Sequence, residues 1–192
     1  MRKHNVYIVL TDTGSFLTKM IKLYTKKRYN HASISFDSHL SEVYSFGRKK
    51  MNNPFSGGFV QEDVKSGLFK EADCAIYSLT VTEEDLQKMR NYIKEMDEQK
   101  DLYRYNFFGL FGFLLHKPLR KENSFFCSEF VATVLMACSG VRFHKPAALI
   151  APSDLQEIPN IQLVYEGKLK DFQQNSVTVA QTNPSHLVPV GM

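Results

Sequence analysis

One cysteine in this chain lies in a sequence that suits a catalytic nucleophile. Cys127 follows two phenylalanines in ENSFFCSEFVATVL, residues 122–135, and opens a helical pattern with an apolar face. If Ser124 is the N-cap, the thiol occupies the third helical position. There the helix dipole and the unpaired backbone N–H groups favour the thiolate, and the same N–H groups can hold the oxyanion of an acyl intermediate. A buried, unreactive thiol is the alternative interpretation.

A thiolate nucleophile needs a base, which is usually a histidine. The chain has six histidines, and His31 has the most suitable surroundings. The stretch NHASISFD, residues 30–37, alternates apolar and polar side chains, which predicts a strand with His31 on its less apolar face. Small neighbours on that strand, Ala32 and Ser33, leave room for a partner. A purely structural histidine is the alternative interpretation.

The remaining pattern predicts an α+β domain in which helices pack beside an antiparallel sheet. Residues 48–72 are predicted to form an irregular segment, because they begin with a loop rich in Asn, Gly and Pro. One domain is expected over residues 1–170, followed by a polar tail, 171–192, that is either disordered or an appendage. The predicted strands are 6–10, 30–37, 41–47, 74–81 and the last part of 151–167. The predicted helices are 14–27, 82–100 and the helix that begins near Cys127, and Thr82 is the predicted cap of the second.

Composition narrows the class of protein. The 192 residues are 43% hydrophobic with a net charge of +4, values of a soluble globular domain that permit an acidic partner or an anionic membrane surface without requiring either. The chain has no zinc-ligand spacing, arginine-rich arm or helix-turn-helix pattern, so we do not expect it to bind nucleic acid. Its three cysteines, an odd number, are expected to be free thiols.

Two apolar runs bear on the cellular location. The run at 6–10 is too short for the core of a signal peptide, so a cytoplasmic location is expected. The run FFGLFGFLL, residues 107–115, has about half of the ~20 residues that a membrane-spanning helix needs, so no transmembrane segment is predicted. Basic residues follow this second run, and peripheral contact with a membrane is therefore compatible with the sequence.

Four fragments in a fixed order resemble a known enzyme family. YNHASISFD, YRYNFFG, FFCSEFVA and APSDL are similar to the circularly permuted NlpC-type branch of the papain-like cysteine peptidases and amidases, and the similarity spans roughly residues 6–165. The aromatic–Cys–Ser–Glu motif is its most specific part. The resemblance implies a permuted papain-like fold, with a small barrel-like antiparallel sheet and with the histidine hairpin preceding the cysteine helix.

The resemblance also implies roles for individual residues. Cys127 would be the nucleophile and His31 the general base and acid. The family's third polar residue, which faces the imidazole from the next strand, falls on Ser45, or on Glu42 if the hairpin loop differs by one residue. Ser45 is a weaker partner for an imidazole than a carboxylate. Tyr105 matches a tyrosine that helps line the substrate and oxyanion site, and no metal or cofactor is implied.

These roles predict a thiol-dependent hydrolase of peptide or amide bonds that works through an acyl-enzyme. Two alternatives remain open. Lipid acyl hydrolysis or transfer of the lecithin:retinol acyltransferase type would suit the segment FFGLFGFLLHKPLRK, residues 107–121, which joins an apolar run to basic side chains. A catalytically silent binding module on the same fold would suit the weak third residue, Ser45.

Overall fold

The fold is known from a computed structural model, which describes residues 2–14, 27–49, 56–69, 71–106 and 122–172. The described elements form a mixed α and β structure with a mostly antiparallel sheet, so the predicted α+β class is confirmed. The strands are β1 (Lys3–Asp12), β2 (His31–Ser35), β3 (Val43–Arg48), β4 (Gly57–Gln61), β5 (Asp73–Thr82), β6 (Arg104–Tyr105), β7 (Ser124–Phe125) and β8 (Gln162–Lys168). The α-helices are α1 (Glu83–Glu98) and α2 (Cys127–Leu135), and short 3-10 turns cover Gly67–Phe69, Ala147–Leu149 and Pro152–Glu157.

A six-stranded sheet with the order β4-β3-β2-β1-β5-β8 forms the centre of the molecule, and every pair of neighbours is antiparallel. β1 alternates between the two faces, with Ile8 in the larger apolar cluster and Val9 in the smaller one. Both faces of the sheet are therefore covered at its centre. β6 and β7 form a separate two-stranded parallel pair.

The two helices pack on the face that carries the larger cluster. The Thr82 hydroxyl accepts the N–H of Asp85 at 3.1 Å, which confirms the predicted cap of α1. α2 is buried at all of its residues except Thr133. Its Phe130 ring packs against Phe46 of β3 and Phe59 of β4, with ring centroids 5.3 and 5.8 Å apart, so an aromatic cluster fixes α2 on the sheet.

The prediction of an irregular segment over residues 48–72 is wrong, because β4 lies inside it and pairs with β3 from Arg48↔Gly57 to Tyr44↔Gln61. Its two glycines weaken the local preference for a strand, but they are needed where β6 crosses close above. A Cβ atom on Gly57 would lie 2.6 Å from the Cβ of Tyr105, and one on Gly58 would lie 2.7 Å from the carbonyl oxygen of Tyr103.

Three predictions fall wholly or mostly on residues outside the described ranges. These are the helix over 14–27, the apolar and basic segment 107–121, and the tail, which the structure describes only at residues 171 and 172. No helix within the ranges that are described is both long and apolar enough to cross a membrane.

We expect Gly57→Ala to destabilise the protein by about 1–3 kcal/mol, because the new methyl group overlaps the Tyr105 Cβ and forces β6 away from β4. Denaturant unfolding measures the change. Gly140→Ala is the matched control, since a Cβ there has nothing within 4 Å. Equal unfolding midpoints for the two variants would contradict the close approach of β6 to β4.

Candidate active site

Cys127, His31 and Tyr105 meet at one end of the sheet. His31 is the first residue of β2, and Cys127 is the first residue of α2. The thiol of Cys127 is in hydrogen-bond contact with the His31 imidazole and with the Tyr105 hydroxyl. The structure thus brings together three of the five side chains that the sequence singled out.

The start of α2 is determined by the strand pair before it. The N–H of Arg104 donates to the carbonyl of Asn123 and the N–H of Asn106 to that of Phe125, both at 2.9 Å, so the chain stays extended through β7. Phe126 is consequently the N-cap, with φ −104° and ψ 168°. The predicted cap at Ser124 is wrong, because that residue is paired in β7.

Cys127 is therefore at the first helical position and not at the third. The first backbone hydrogen bond of α2 runs from the N–H of Phe130 to the carbonyl of Phe126, at 3.0 Å. The N–H groups of residues 127–129 precede it and have no acceptor within the helix. They lie beside the sulfur, where they can stabilise negative charge.

The imidazole has a carboxylate partner, Glu62, that the sequence analysis missed. Oε1 of Glu62 lies 2.8 Å from Nε2 of His31. Both side chains are largely removed from water, with exposed fractions of 13% for His31 and 5% for Glu62. A charged histidine–carboxylate pair is thus buried beside the thiol.

The two residues predicted to orient His31 have other positions. The Ser45 hydroxyl donates to Oε1 of Glu62 at 2.5 Å, so Ser45 acts on the imidazole through the carboxylate and not directly. Glu42 pairs with Arg90 at 2.9 Å, with both side chains about 40% exposed. Glu42 is turned away because the register of β2 and β3 pairs Ser35 with Val43, which places Val43 and Ser45 on the face of His31 and leaves Glu42 beyond the strand.

The strand register explains how Glu62 reaches the site. Its N–H donates to the carbonyl of Val43 at 2.8 Å, which extends the pairing of β4 with β3 by one residue. Side chains alternate along a strand, so Glu62 lies on the same face as Val60, which is paired with Ser45. The carboxylate passes close above Gly47, where a Cβ atom would lie 3.2 Å from Oε1.

The Glu62–His31 pair holds both groups in their charged forms. Burial alone would lower the pKa of His31, but the negative charge of Glu62 and the hydrogen bonds with Cys127 and Glu62 raise it well above the ordinary 6.5. Burial likewise opposes ionisation of Glu62, yet the His31 charge and the hydrogen bonds from His31, Ser33 and Ser45 keep its pKa below 4.5. The site therefore contains an imidazolium and a carboxylate at neutral pH.

Tyr105 supplies a neutral donor on the other side of the sulfur. Burial raises the pKa of its phenol well above 10, and the charge and hydrogen bond of Cys127 raise it further. The hydroxyl therefore stays protonated at neutral pH and can donate to the sulfur or to a nearby oxyanion.

The other two cysteines, Cys74 and Cys138, are buried in the core. Burial, aided by the charge of Asp73, raises the pKa of Cys74 to about 12. Burial also raises the pKa of Cys138, so both are protonated core thiols at neutral pH.

The ring of Phe69 lies 6.0 Å from the His31 ring and flanks it. In the part of the chain that the structure describes, no group of three or more His, Cys, Asp or Glu side chains is placed to hold a metal ion.

Comparisons with known proteins give no family for this chain. No family model matches it, and neither the curated proteins nor the solved structures contain a match.

We expect Glu62→Gln to lower the pKa of His31, because the main cause that raises it is removed while burial still opposes the charge. The imidazole shifts in an NMR titration report this, with His31→Gln used to assign the signal. Glu42→Gln is the matched control and should leave the titration unchanged, since Glu42 pairs with Arg90 at the surface.

The same substitution should destabilise the protein by about 1.5–3 kcal/mol in a pH-dependent way. Because the pKa of His31 is raised, its charged form stabilises the folded protein fully below pH 6.5. This contribution is lost as the pH rises through the raised pKa. Because the pKa of Glu62 is lowered, its ionised form stabilises the folded protein fully above pH 4.5. This contribution is lost as the pH falls through the lowered pKa. The loss in Glu62→Gln should thus be largest between pH 4.5 and 6.5. A loss independent of pH would contradict the charged pair.

Proposed function

We propose that this protein is a thiol-dependent hydrolase of peptide or amide bonds that acts through an acyl-enzyme. The observation that supports this most strongly is the chain of contacts from the Cys127 sulfur to the His31 imidazole and on to the Glu62 carboxylate. The sulfur also lies at the start of α2, beside backbone N–H groups without helical partners. A nucleophile, a base and a group that orients the base are the parts that thiol acyl transfer requires.

The first half of the reaction forms the acyl-enzyme. The reaction starts from the charged pair of Cys127 sulfur and His31 imidazolium; Glu62 engages Nε2 of His31, so Nδ1 is the nitrogen that carries the proton given up later to the leaving group. The sulfur attacks the carbonyl carbon, and the oxyanion is held by N–H groups of the first turn of α2 and by the Tyr105 hydroxyl. As the C–N bond breaks, His31 gives its proton to the leaving amine and the acyl group remains on sulfur as a thioester.

The second half returns the enzyme to its starting state. His31, now neutral, accepts a proton from water, and the oxygen attacks the thioester carbonyl. The C–S bond breaks, the carboxylic acid leaves, and the sulfur and imidazole are again a charged pair. The Glu62 carboxylate keeps its charge throughout and stabilises the imidazolium each time it forms.

The proposal includes a permuted papain-like fold of NlpC type. In support, the strand of His31 precedes the helix of Cys127 in the chain, and this helix packs on an antiparallel sheet that carries the histidine. The similarity of the four sequence fragments to that family points the same way. The order of base before nucleophile is the feature that distinguishes the permuted branch.

The two alternative functions have less support. A silent binding module was suggested by Ser45 as a weak partner for His31, and the carboxylate of Glu62 removes that reason. Lipid acyl chemistry was suggested by residues 107–121, which lie outside the described ranges. The described residues contain no feature that favours a lipid over a peptide or amide.

We expect the wild-type protein to be acetylated on Cys127 by p-nitrophenyl acetate, with a burst of nitrophenolate followed by slower turnover. Mass spectrometry of the trapped thioester locates the acetyl group. Cys127→Ala should abolish burst and turnover, while Cys74→Ala and Cys138→Ala should retain both, because these thiols are protonated and lie in the core.

Short peptides with a free N-terminus or a γ-linked acidic residue are the next substrates to test, each compared with Cys127→Ala. A wild-type protein that is not acylated at Cys127, or a Cys127→Ala variant that still turns over, would overturn the proposed function. Acylation by lipid esters in vesicles but not by peptides would favour the lipid alternative.

We expect Tyr105→Phe to reduce kcat by about 10²–10³-fold, the usual cost of losing one oxyanion donor. Tyr103→Phe is the matched control: its ring packs on Phe46 and Phe125, and this packing is retained in phenylalanine. Steady-state kinetics on the best peptide from the panel measure both variants. If the two lose activity equally, the Tyr105 hydroxyl is not a donor in the reaction.

A further inference from the structure

The buried carboxylate of Glu62 receives hydrogen bonds from two serines on two different strands. Ser33 of β2 donates to Oε2 and Ser45 of β3 donates to Oε1, each at 2.5 Å. We propose that Ser33 and Ser45 are positioning residues that keep Glu62 ionised and aimed at His31, and so maintain the charged imidazole of the resting site. This inference rests on the proposed function for its consequence in catalysis.

The need for these donors follows from the burial of Glu62. A carboxylate that is 5% exposed has lost nearly all of its water, and its charge is costly unless other donors replace that water. Hydroxyl groups donate hydrogen bonds without adding a positive charge. Ser33 and Ser45 can therefore stabilise the ionised carboxylate without competing with His31 as its counter-ion.

The two serines are not equivalent. Oε1 receives both the His31 ring and the Ser45 hydroxyl, whereas Ser33 is the one donor to Oε2 among the residues that the structure describes. Loss of Ser45 leaves Oε1 bonded to the imidazole, but loss of Ser33 leaves Oε2 with no donor of that set. We therefore expect Ser33→Ala to have the larger effect.

Ser33 also contacts the imidazole itself, with Oγ at 3.3 Å from Nε2. Its single proton points to Oε2 of Glu62, so its oxygen is free to accept from the Nε2–H group. Ser33 thus touches both members of the charged pair, which gives a second reason for its larger effect.

Among the residues that the structure describes, few other groups face His31. The titratable groups that face it are Glu62 from the end of β4 and Cys127 from α2, with the neutral phenol of Tyr105 behind Cys127. Phe69 faces the ring from the turn that follows Glu62, and Thr11 of β1 is paired with His31 across the sheet; neither is charged. A change in the His31 titration on removal of Ser45 would therefore act through Glu62, whereas Ser33 can also act through its own contact with Nε2.

The test is an NMR titration of His31 in the full chain, with Ser33→Ala, Ser45→Ala and the double variant, each compared with the wild type. Without a serine donor the Glu62 carboxylate is no longer held against Nε2, its charge acts on His31 from farther away, and the titration of His31 should move to lower pH. The expected order is wild type, Ser45→Ala, Ser33→Ala, double variant.

Ser35→Ala is the matched control. Ser35 is a buried serine on the same face of β2, but its hydroxyl bonds to Asp37 and not to Glu62. Its loss can lower stability but should leave the His31 titration unchanged. Equal titration curves for wild type, Ser33→Ala and Ser35→Ala would overturn the proposal.

Turnover of p-nitrophenyl acetate provides a second measurement. Ser33→Ala should lower kcat about 10- to 100-fold with little change in KM, since the serine acts through its contacts with Glu62 and His31. The two proposals fail separately. Without acylation of Cys127 in the wild type, the proposed function fails while the His31 titration still tests the serines. With normal acylation and an unaltered His31 titration in Ser33→Ala, only the role of the serines fails.

Discussion

The buried pair of His31 and Glu62 is the interaction on which the rest of the site depends. Each group would lose its charge if it were buried alone, and each keeps the other ionised. The pair requires three strands in register, since His31 is on β2 and Glu62 follows β4, with β3 between them. A slip of one residue between β3 and β4 would turn Glu62 to the opposite face of the sheet.

Cys127 reaches this pair from the other layer of the structure. α2 packs on the face that carries the larger apolar cluster, while His31 and Glu62 project from the opposite face, and the two meet only at the end of the sheet. Aromatic packing of Phe130 and the start of α2 after β7 set the position of Cys127. The position of the Cys127 sulfur thus depends on core packing, and the position of the His31 imidazole depends on backbone pairing.

The features that depend only on neighbouring residues in the chain could be predicted from the sequence. The alternation around His31 and the Thr82 cap each reflect preferences within a few neighbouring residues, and the structure contains both. Glu62 was missed because a Gly-Gly pair hides β4, and because nothing near residue 62 in the chain shows which strand it will lie beside. Ser124 was misassigned for a similar reason: its partner strand, β6, lies 20 residues earlier in the chain.

The order of these residues along the chain has a consequence for folding. All the groups that hold the imidazole of His31 are synthesised before residue 63, and β2, β3 and β4 are joined in sequence as antiparallel neighbours. Contacts between nearby segments form early and at low entropic cost. Cys127 is made later, after β5, α1 and β6, and then docks onto this framework. The Cys127 sulfur therefore meets the His31–Glu62 pair last, when the domain around it is nearly complete.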